Sequence, residues 1–253
     1  MISDFHPFTL RLADSAEDVA AAQRLRYEVF VKELGGAGAG VDHAARREGD
    51  RFDDHGDHLL LIDETRPPGQ TVVGVYRLLR QDQARAAGGF YSEGEYDLGP
   101  LRRSGRSLLE LGRSCLHPDI RGGAGLHQLW SGLADYVARH RVDLLFGVAS
   151  FHGTDIGALA GALSLLHHRH LAPEALRVRS RAYQPMDLMP PDRIDRLAAM
   201  RATPALIKGY LRLGGVVGDG AFIDRAFNTT DVCLIMDTAA IDARQRELLR
   251  ARA

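Results

Sequence analysis

Apolar and polar positions alternate over residues 8–12, which predicts a first strand. Two further strands, over residues 58–62 and 71–79, are separated by a turn signal at residues 66–69. Ahead of this pair, Ser15 stands in a capping position before a helical pattern. The amino-terminal part of the chain is therefore predicted to form a strand, a helix and an antiparallel hairpin.

The pattern changes after residue 84, where glycine, serine and charged residues predict irregular structure up to residue 107. Apolar positions at i, i+3, i+4, i+7 and i+11 from Leu126 predict a strong helix. The other apolar runs predict strands over 108–116, 143–149 and 232–236, a helix over about 155–170, and a helix with Thr203 as its N-cap and Pro204 at its first position.

Charged residues interrupt several of these apolar patterns. Arg26 lies on the apolar face of the first helix, and Arg77 lies in an apolar strand. An isolated buried charge is costly, so such residues usually form ion pairs or take part in function. Similar charges recur at Asp50, Asp53, Glu110 and Arg113. Three arginines facing three carboxylates predict an active site; a solvent-reaching Arg26 and purely structural ion pairs remain alternatives.

Two segments that contain glycine bear on this chemistry. Glu110 and Arg113 would point to opposite faces of a regular strand, and a bulge near Gly112 would bring them to one side. The loop over residues 121–125 enters a helix, so its backbone N–H groups and the helix dipole suit a phosphate. A tight glycine turn would explain the same loop without any ligand.

Composition narrows the classes of function. The 253 residues carry a formal net charge of −1, so no overall field attracts nucleic acid or anionic lipid. The apolar runs are too short to cross a bilayer, and no secretory signal is visible. Cys115 and Cys233 are predicted to be reduced core thiols, which favours the cytoplasm. The histidines at 167, 168 and 170 predict a polar helix end, and no metal is expected.

The order of elements resembles the GCN5-related N-acyltransferase fold. The resemblance implies an α/β (α+β) protein with a mixed, mostly antiparallel central sheet flanked by helices. In that fold a loop grips the pyrophosphate of coenzyme A through an Arg/Gln-x-x-Gly-x-Gly/Ala pattern. Here Arg121 opens the pattern, but Ala124 and Leu126 stand at two of its small-residue positions. This departure suits another donor, an acyl carrier protein bearing phosphopantetheine.

The charged residues resemble the signature of the acyl-homoserine-lactone synthases, which belong to the same fold. The matching positions, in order, are Arg26, Phe30, Asp50, Asp53, Arg77, Glu110 and Arg113. The tryptophan of that signature has no counterpart, because Trp130 lies on a later helix, and the chain continues past the length of such a synthase. Both departures argue against homoserine lactone chemistry.

Over nearly its whole length the chain resembles the ornithine-acyl-carrier-protein N-acyltransferases of bacterial ornithine-lipid synthesis. The similar blocks lie at residues 26–30, 52–60, 90–98, 110–115, 117–118, 206–215 and 227–232. The resemblance implies transfer of a 3-hydroxy fatty acyl group to the α-amine of ornithine, which gives lyso-ornithine lipid. Acylation of another amine, and a non-catalytic acyl-binding protein of the same fold, are the alternatives.

That reaction assigns expected roles to the charged residues. An ammonium ion cannot attack a thioester, so a base is needed, with Glu110 as our hypothesis and Asp53 as the rival. Arg77 or Arg113 would hold the carboxylate of the amino acid, and Arg26 would tie the cluster to Asp50 or Asp53. Asp231 or Asp97 would receive the side-chain ammonium of ornithine.

The remaining expectations concern the donor and the organisation of the chain. Residues expected along the acyl and phosphopantetheine path are Phe30, Leu111, Ser114, Arg121, Gly122, Gly123 and Gly125. A basic alternation at Arg177, Arg179 and Arg181 would receive the carrier protein or would simply be solvated. We expect no permanently bound cofactor, and peripheral contact with the inner membrane face through the lipid product. The chain is predicted to be a single acyltransferase domain over residues 1–253, with a core over about 8–185 and a carboxy-terminal elaboration over about 186–253.

Overall fold

The computed structural model describes residues 8–121 and 124–240, and they form two compact units built from interleaved stretches of chain. Of the described residues, the first unit contains 8–79, 111–121 and 124–141, and the second contains 80–110 and 142–240. The single domain and its boundaries stay a prediction.

The described residues contain twelve strands and seven α-helices. The strands are β1 (Phe8–Leu12), β2 (Val41–Asp42), β3 (Arg47–Glu48), β4 (Asp57–Asp63), β5 (Val72–Arg80), β6 (Tyr96–Asp97), β7 (Leu108–Leu116), β8 (Leu144–His152), β9 (Arg179–Ser180), β10 (Val216–Val217), β11 (Phe222–Asp224) and β12 (Thr229–Asp237). The helices are α1 (Ala16–Arg26), α2 (Gln81–Ala86), α3 (Gly99–Arg103), α4 (Ala124–His140), α5 (Ile156–His170), α6 (Arg196–Ala202) and α7 (Ala205–Arg212).

The first unit contains a sheet with the strand order β1-β4-β5-β7, of which β1–β4 and β4–β5 are antiparallel. Helix α4 packs on one face of this sheet so closely that a Cβ at Gly132 would lie 2.3 Å from a methyl carbon of Leu10. Leu25 and Val29 pack on the opposite face, against Leu60 and Val75. Burial on both faces explains why β4 and β5 are apolar at successive positions.

Helix α1 begins where the sequence predicts. The hydroxyl oxygen of Ser15 accepts the backbone N–H of Asp18 at 3.2 Å, which satisfies one of the free donors of the first turn. The helix then continues as a π-helical segment, Tyr27–Glu33, without a break in the chain. Arg26 is therefore the last residue of regular α-helix before the wider turns begin.

The second unit is built around β12, which pairs antiparallel with β8 over nine residue pairs. Strands β10 and β11 also pair with β12, and the first three residues of β7 pair parallel with β8. The predicted mixed, mostly antiparallel sheet flanked by helices is confirmed. The segment predicted as an elaboration supplies β12, which has nine residues where the apolar run at 232–236 predicts five. The polar residues at its ends, Thr229 and Asp237, do not continue the apolar run.

Three sequence expectations need correction. Residues 84–107 are not uniformly irregular, since they contain the end of α2, a 3₁₀ turn at Tyr91–Gly94, β6 and α3. Pro204, not Thr203, is the N-cap of α7, because the Thr203 hydroxyl donates to Ala199 O at 2.9 Å at the end of α6. Of the basic alternation at Arg177, Arg179 and Arg181, only Arg179 lies in a strand, Arg179–Ser180. Among the described residues, no helix has the length and apolar character needed to cross a bilayer.

Candidate active site

Six charged side chains of the first unit form one buried network, which we call the ion-pair network. Its members are Arg26, Arg77, Arg113, Glu48, Asp50 and Asp53. Arg26 is fully buried, and its two terminal nitrogens donate to the two carboxylate oxygens of Asp53 at 2.8 and 2.6 Å. Its Nε donates to Glu48 at 2.6 Å. Arg26 therefore ties Asp53 into the network, which is one of the two pairings that the sequence predicts.

The other two arginines close the network around Asp50. Arg77, which is 2% exposed, donates from Nη1 to Asp50 at 2.5 Å and to Asp53 at 2.8 Å. Arg113 lies 3.1 Å from Glu48 and 3.0 Å from Asp50, and its side chain is 13% exposed. Three positive and three negative charges balance, as a buried network requires. The most exposed members of the network are Arg113, at 13%, and Asp50, at 19%.

Asp53 holds its negative charge firmly. Burial by itself would raise the pKa of Asp53, but the hydrogen bonds and charge of Arg26, with the charge of Arg77 and a hydrogen bond from Gln23, outweigh it. The net effect holds the pKa of Asp53 well below its usual range. A carboxylate in this setting is a poor acceptor for a proton.

The sequence does not predict one member of the network, Glu48, or the buried neighbour of Asp53, His58. Glu48 stands in the polar run at residues 46–50, which looks like an exposed turn, yet it is 1% exposed. His58 is buried on β4, and its Nε2 lies 3.1 Å from the carbonyl oxygen of Asp53. Since a carbonyl only accepts, Nε2 carries the proton in this contact. Burial lowers the pKa of His58, which keeps the ring neutral beside the arginines.

The irregularity predicted near Gly112 lies one residue further along. Arg113 has a φ of 51°, a left-handed conformation that a non-glycine residue seldom adopts inside a strand. The parallel pairing of β7 with β8 covers Leu108 to Glu110, before this point. The regular ladder of β7 with β8 therefore ends before the left-handed residue is reached.

Glu110 lies in the second unit, where it is 3% exposed. Its two carboxylate oxygens accept the backbone N–H groups of Tyr91 at 2.8 Å and Ser92 at 2.6 Å. Both donors belong to the 3₁₀ turn at Tyr91–Gly94. The hydrogen bonds to Glu110 therefore hold this turn in a segment whose sequence predicts irregular structure. Within the first unit the third carboxylate of the network is Glu48, whereas the sequence predicts Glu110 in that place.

A second acidic group lies in the second unit. Glu95, Asp224 and Asp231 each offer a carboxylate oxygen within 4.8 Å of the others, and Glu95 and Asp231 are buried. Such a group can hold a cation. The rival residue Asp97 is exposed, and its carboxylate accepts the backbone N–H of Gly99 at 2.9 Å. Of the described residues, this acidic group has a metal-compatible arrangement and the histidines at 167–170 do not.

The residues expected along the donor path lie in several settings. Phe30 packs against the apolar core of the first unit, Leu111 is buried and Ser114 is partly buried. Arg121 is exposed and donates to both carboxylate oxygens of Glu33, at 2.5 and 2.7 Å. A Cβ at Gly125 would lie 3.0 Å from the carbonyl oxygen of Ile120, so this glycine permits a close approach at the start of α4. Gly122 and Gly123 lie outside the described residues.

The two cysteines are buried and free, as predicted. Burial raises the pKa of the Cys115 thiol to about 12 and raises that of Cys233 as well. Neither thiol is therefore a nucleophile for acyl transfer at neutral pH.

Comparison with known proteins identifies the family of this chain. Residues 25–131 match the acetyltransferase (GNAT) domain family. An L-ornithine N(alpha)-acyltransferase of Rhodobacter capsulatus is 59% identical over 97% of this chain and 95% of its own length. Another of the same name, from Brucella abortus, is 46% identical over 93% of this chain and 86% of its own length.

Solved structures support the fold alone. The CoA-dependent acyl-homoserine lactone synthase BjaI superposes with a TM-score of 0.54 at 16% identity, covering 97% of this chain and 89% of its own. FeeM, an N-acyl amino acid synthase from uncultured soil microbes, gives a TM-score of 0.55 at 11% identity, covering 94% of this chain and 97% of its own. The extent and identity of the sequence matches go further: this chain is an acyltransferase that belongs to the L-ornithine N(alpha)-acyltransferase family.

Proposed function

We propose that this protein transfers a 3-hydroxy fatty acyl group from acyl carrier protein to the α-amine of ornithine, giving lyso-ornithine lipid. The observation that carries the acceptor is the 59% identity to an L-ornithine N(alpha)-acyltransferase over 97% of the chain. The carrier-protein donor rests on the departures from the coenzyme A loop pattern at Ala124 and Leu126. The phosphopantetheine of the carrier would supply the thioester, with no cofactor held permanently.

The side-chain ammonium of ornithine calls for an anionic site. The acidic group of Glu95, Asp224 and Asp231 offers three carboxylates within 4.8 Å of one another. We assign the ammonium to Asp231 and its two neighbours, because Asp97 is exposed and already accepts a backbone N–H. Charge-assisted hydrogen bonds to a buried carboxylate are stronger than neutral ones. A neutral amino acid of the same length should therefore be a much poorer acceptor.

The α-amine must lose a proton before or as it attacks the thioester carbon. Asp53 suits this role poorly, because the arginines hold its pKa well below the usual range. Glu110 is buried and is oriented by the N–H groups of Tyr91 and Ser92. We therefore propose Glu110 as the base, directly or through one water, and Asp53 as the charge that fixes Arg26 and Arg77.

The carboxylate of the amino acid calls for an arginine that it can reach. Arg77 is 2% exposed and is held by Asp50 and Asp53. The side chain of Arg113 is 13% exposed. Arg113 is therefore our choice for the bidentate contact with the substrate carboxylate, with Asp50 beside it. We assign the oxyanion of the thioester to backbone N–H groups of β7 near Leu111 and Ser114, where the strand becomes irregular.

The proposed donor and product bear on where the enzyme works and on which surface the carrier protein contacts. We propose that it acts in the cytoplasm and contacts the inner membrane face peripherally when the lipid product leaves. The arginines expected to receive the carrier protein have local partners: Arg177 Nε donates to Ala172 O at 2.8 Å and Arg181 Nε to Glu93 O at 2.7 Å. Arg179 is bound to Asp219. These contacts weaken the case for that surface as the carrier site.

The test is a transfer assay with purified protein, 3-hydroxyacyl carrier protein and a set of acceptors, with products read by mass spectrometry. Ornithine should be acylated at the α-amine. Norvaline, which has the same five-carbon chain but lacks the terminal ammonium, should react at least about 100-fold less efficiently. Homoserine lactone and neutral amino acids test the alternative acceptors. If norvaline were acylated as efficiently as ornithine, the assignment of the ammonium site would be wrong. If no acceptor were acylated, the proposed function would be wrong.

A variant pair locates the ammonium site. Asp231→Asn removes one charge of the acidic group, and we expect the KM for ornithine to rise about 10- to 100-fold. Asp97→Asn removes a charge from the exposed rival, and its amide oxygen can still accept from Gly99. The preference for ornithine over norvaline should fall only in Asp231→Asn. An equal fall in both variants would contradict the assignment.

A further inference from the structure

The turn that orients Glu110 lies within residues 90–98, one of the blocks that carry the sequence resemblance. The backbone N–H of Ser92 donates to Oε1 of Glu110 at 2.6 Å. The turn is closed by a hydrogen bond of 2.9 Å from the backbone N–H of Phe90 to Oε2 of Glu93. The backbone of Ser92 is therefore fixed, and its hydroxyl can move only by rotation about the Cα–Cβ bond.

The side chain of Ser92 is a buried hydroxyl without a protein partner. Ser92 is 0% exposed, and its Oγ forms no hydrogen bond with any residue in the ranges 8–121 and 124–240. The fully buried Ser164 shows the usual arrangement, because its Oγ donates to Met186 O at 3.0 Å and accepts the backbone N–H of Leu188 at 2.9 Å. An unpaired buried hydroxyl destabilises a fold, so the Ser92 hydroxyl is a candidate for contact with a ligand.

Aromatic side chains flank the turn at Glu110. Phe90 is buried, and its ring packs edge-to-face on that of Phe146, with the ring centroids 5.0 Å apart. Phe146 is also the partner of Glu110 in the parallel pairing of β7 with β8. An acyl chain beside Glu110 would find apolar contacts here, and a hydroxyl on that chain would need a polar group within reach.

Bond lengths place the Ser92 hydroxyl close to the reacting atoms. Three single bonds separate its Oγ from the backbone nitrogen that donates to Glu110, so the two atoms lie within about 4 Å of each other. Three bonds likewise separate the thioester carbon from the oxygen of a 3-hydroxyl, which gives a limit of about 4 Å again. The amine that Glu110 deprotonates is the one that attacks this carbon. Ser92 can therefore bind a 3-hydroxyl while Glu110 acts on the amine.

We propose that the Ser92 hydroxyl forms a hydrogen bond with the 3-hydroxyl of the acyl group and so selects 3-hydroxyacyl donors. The inference rests on the proposed acyl transfer with Glu110 as the base. A hydroxyl can both donate and accept, so the two groups can pair in either direction. An acyl group without the 3-hydroxyl leaves the Ser92 hydroxyl unpaired in the complex, and this lost hydrogen bond makes it the poorer substrate.

The test measures kcat/KM with ornithine for two acyl carrier protein donors of equal chain length, one with and one without the 3-hydroxyl. We expect the wild type to prefer the hydroxylated donor by at least about tenfold. In Ser92→Ala the preference should fall toward one, through a loss with the hydroxylated donor alone.

Ser180→Ala is the matched control. Ser180 is also buried, and its Oγ likewise has no hydrogen-bond partner in the part of the chain that the structure describes. Its backbone N–H donates to Asp219 O at 3.0 Å, whereas that of Ser92 donates to Glu110. This variant should keep the wild-type preference between the two donors.

Urea denaturation separates this role from a structural one. Ser92→Ala removes an unpaired hydroxyl and keeps the backbone N–H that binds Glu110, so the variant should be at least as stable as the wild type. A variant that lost stability together with activity toward both donors would assign Ser92 to the fold and contradict the proposal.

Several outcomes would overturn the inference. They are equal use of both donors by the wild type, an unchanged preference in Ser92→Ala, or an equal change in Ser180→Ala. A rate that falls equally with both donors in Ser92→Ala would show that the hydroxyl serves proton transfer at Glu110 instead. Failure of the proposed function would look different, because the wild type would then acylate ornithine with neither donor.

Discussion

Removing the charge of Asp53 should destabilise the folded protein strongly. In Asp53→Asn the shape of the side chain is kept, but Arg26 and Arg77 lose the carboxylate that accepts their hydrogen bonds at 2.6 to 2.8 Å. The network then holds three positive and two negative charges, with Arg26 fully buried. Breaking a buried pair by removing one partner costs about 3–5 kcal/mol. We expect the free energy of unfolding to fall by at least about 3 kcal/mol.

Urea denaturation followed by circular dichroism measures this loss. The control is Glu28→Gln, which neutralises the partner of Arg46 at a surface where both side chains are more than a third exposed, so its cost should stay under about 1 kcal/mol. The pKa of Asp53 is lowered by folding, so its contribution is present above the ordinary pKa and is lost as pH falls through the native value. The gap between wild type and Asp53→Asn should therefore be full at pH 7 and shrink below about pH 4. A loss at pH 7 no larger than that of Glu28→Gln would refute the network argument.

Three further results are expected. Glu110→Gln should lower kcat about 100-fold in the acyl-transfer assay, and a rate within about twofold of the wild type would remove Glu110 as the base. Gly125→Ala should lower the free energy of unfolding by about 1–3 kcal/mol, because its Cβ would press on Ile120 O. Gly161→Ala places its Cβ where no atom lies within 4 Å, so it should raise the free energy of unfolding by about 0.4–1 kcal/mol. Equal shifts in the two variants would contradict the packing argument. The thiol of Cys115 should react with a thiol reagent only after unfolding, so fast labelling of the native protein would contradict its burial.

The sequence predicts those parts of the site in which a charge interrupts an apolar pattern. Arg26 and Arg77 stand out because their neighbours on the helix face and strand are buried, so a carboxylate had to meet them. Asp53 is predicted as such a carboxylate because it stands three residues after Asp50, in the spacing of the Asp-x-x-Asp signature. Glu48 is not, because it stands among Arg46, Arg47 and Asp50 in a run whose polarity alone suggests solvent.

The same limit applies to the second unit. The turn at Tyr91–Gly94 has no periodic pattern, since its order comes from the hydrogen bonds to Glu110, nineteen and eighteen residues later in the chain. The three carboxylates of the acidic group come from residues 95, 224 and 231. The pairing of β11 with β12 brings the last two near each other, and Glu95 comes from a distant part of the chain. Contacts that depend on distant strands leave no local signal in composition or spacing.

The interleaved course of the chain has a consequence for synthesis on the ribosome. The first unit needs α4 and the end of β7 to cover one face and one edge of β4 and β5, so residues 8–79 cannot complete their core until about residue 141 has emerged. The second unit must wait longer, because β8 obtains its long antiparallel partner only with β12, at Thr229–Asp237. During that interval the apolar faces of β4, β5 and β8 stay open to other chains. We therefore expect nascent chains stalled before residue 141 to be captured by chaperones, and no single cut of the chain to release either unit intact.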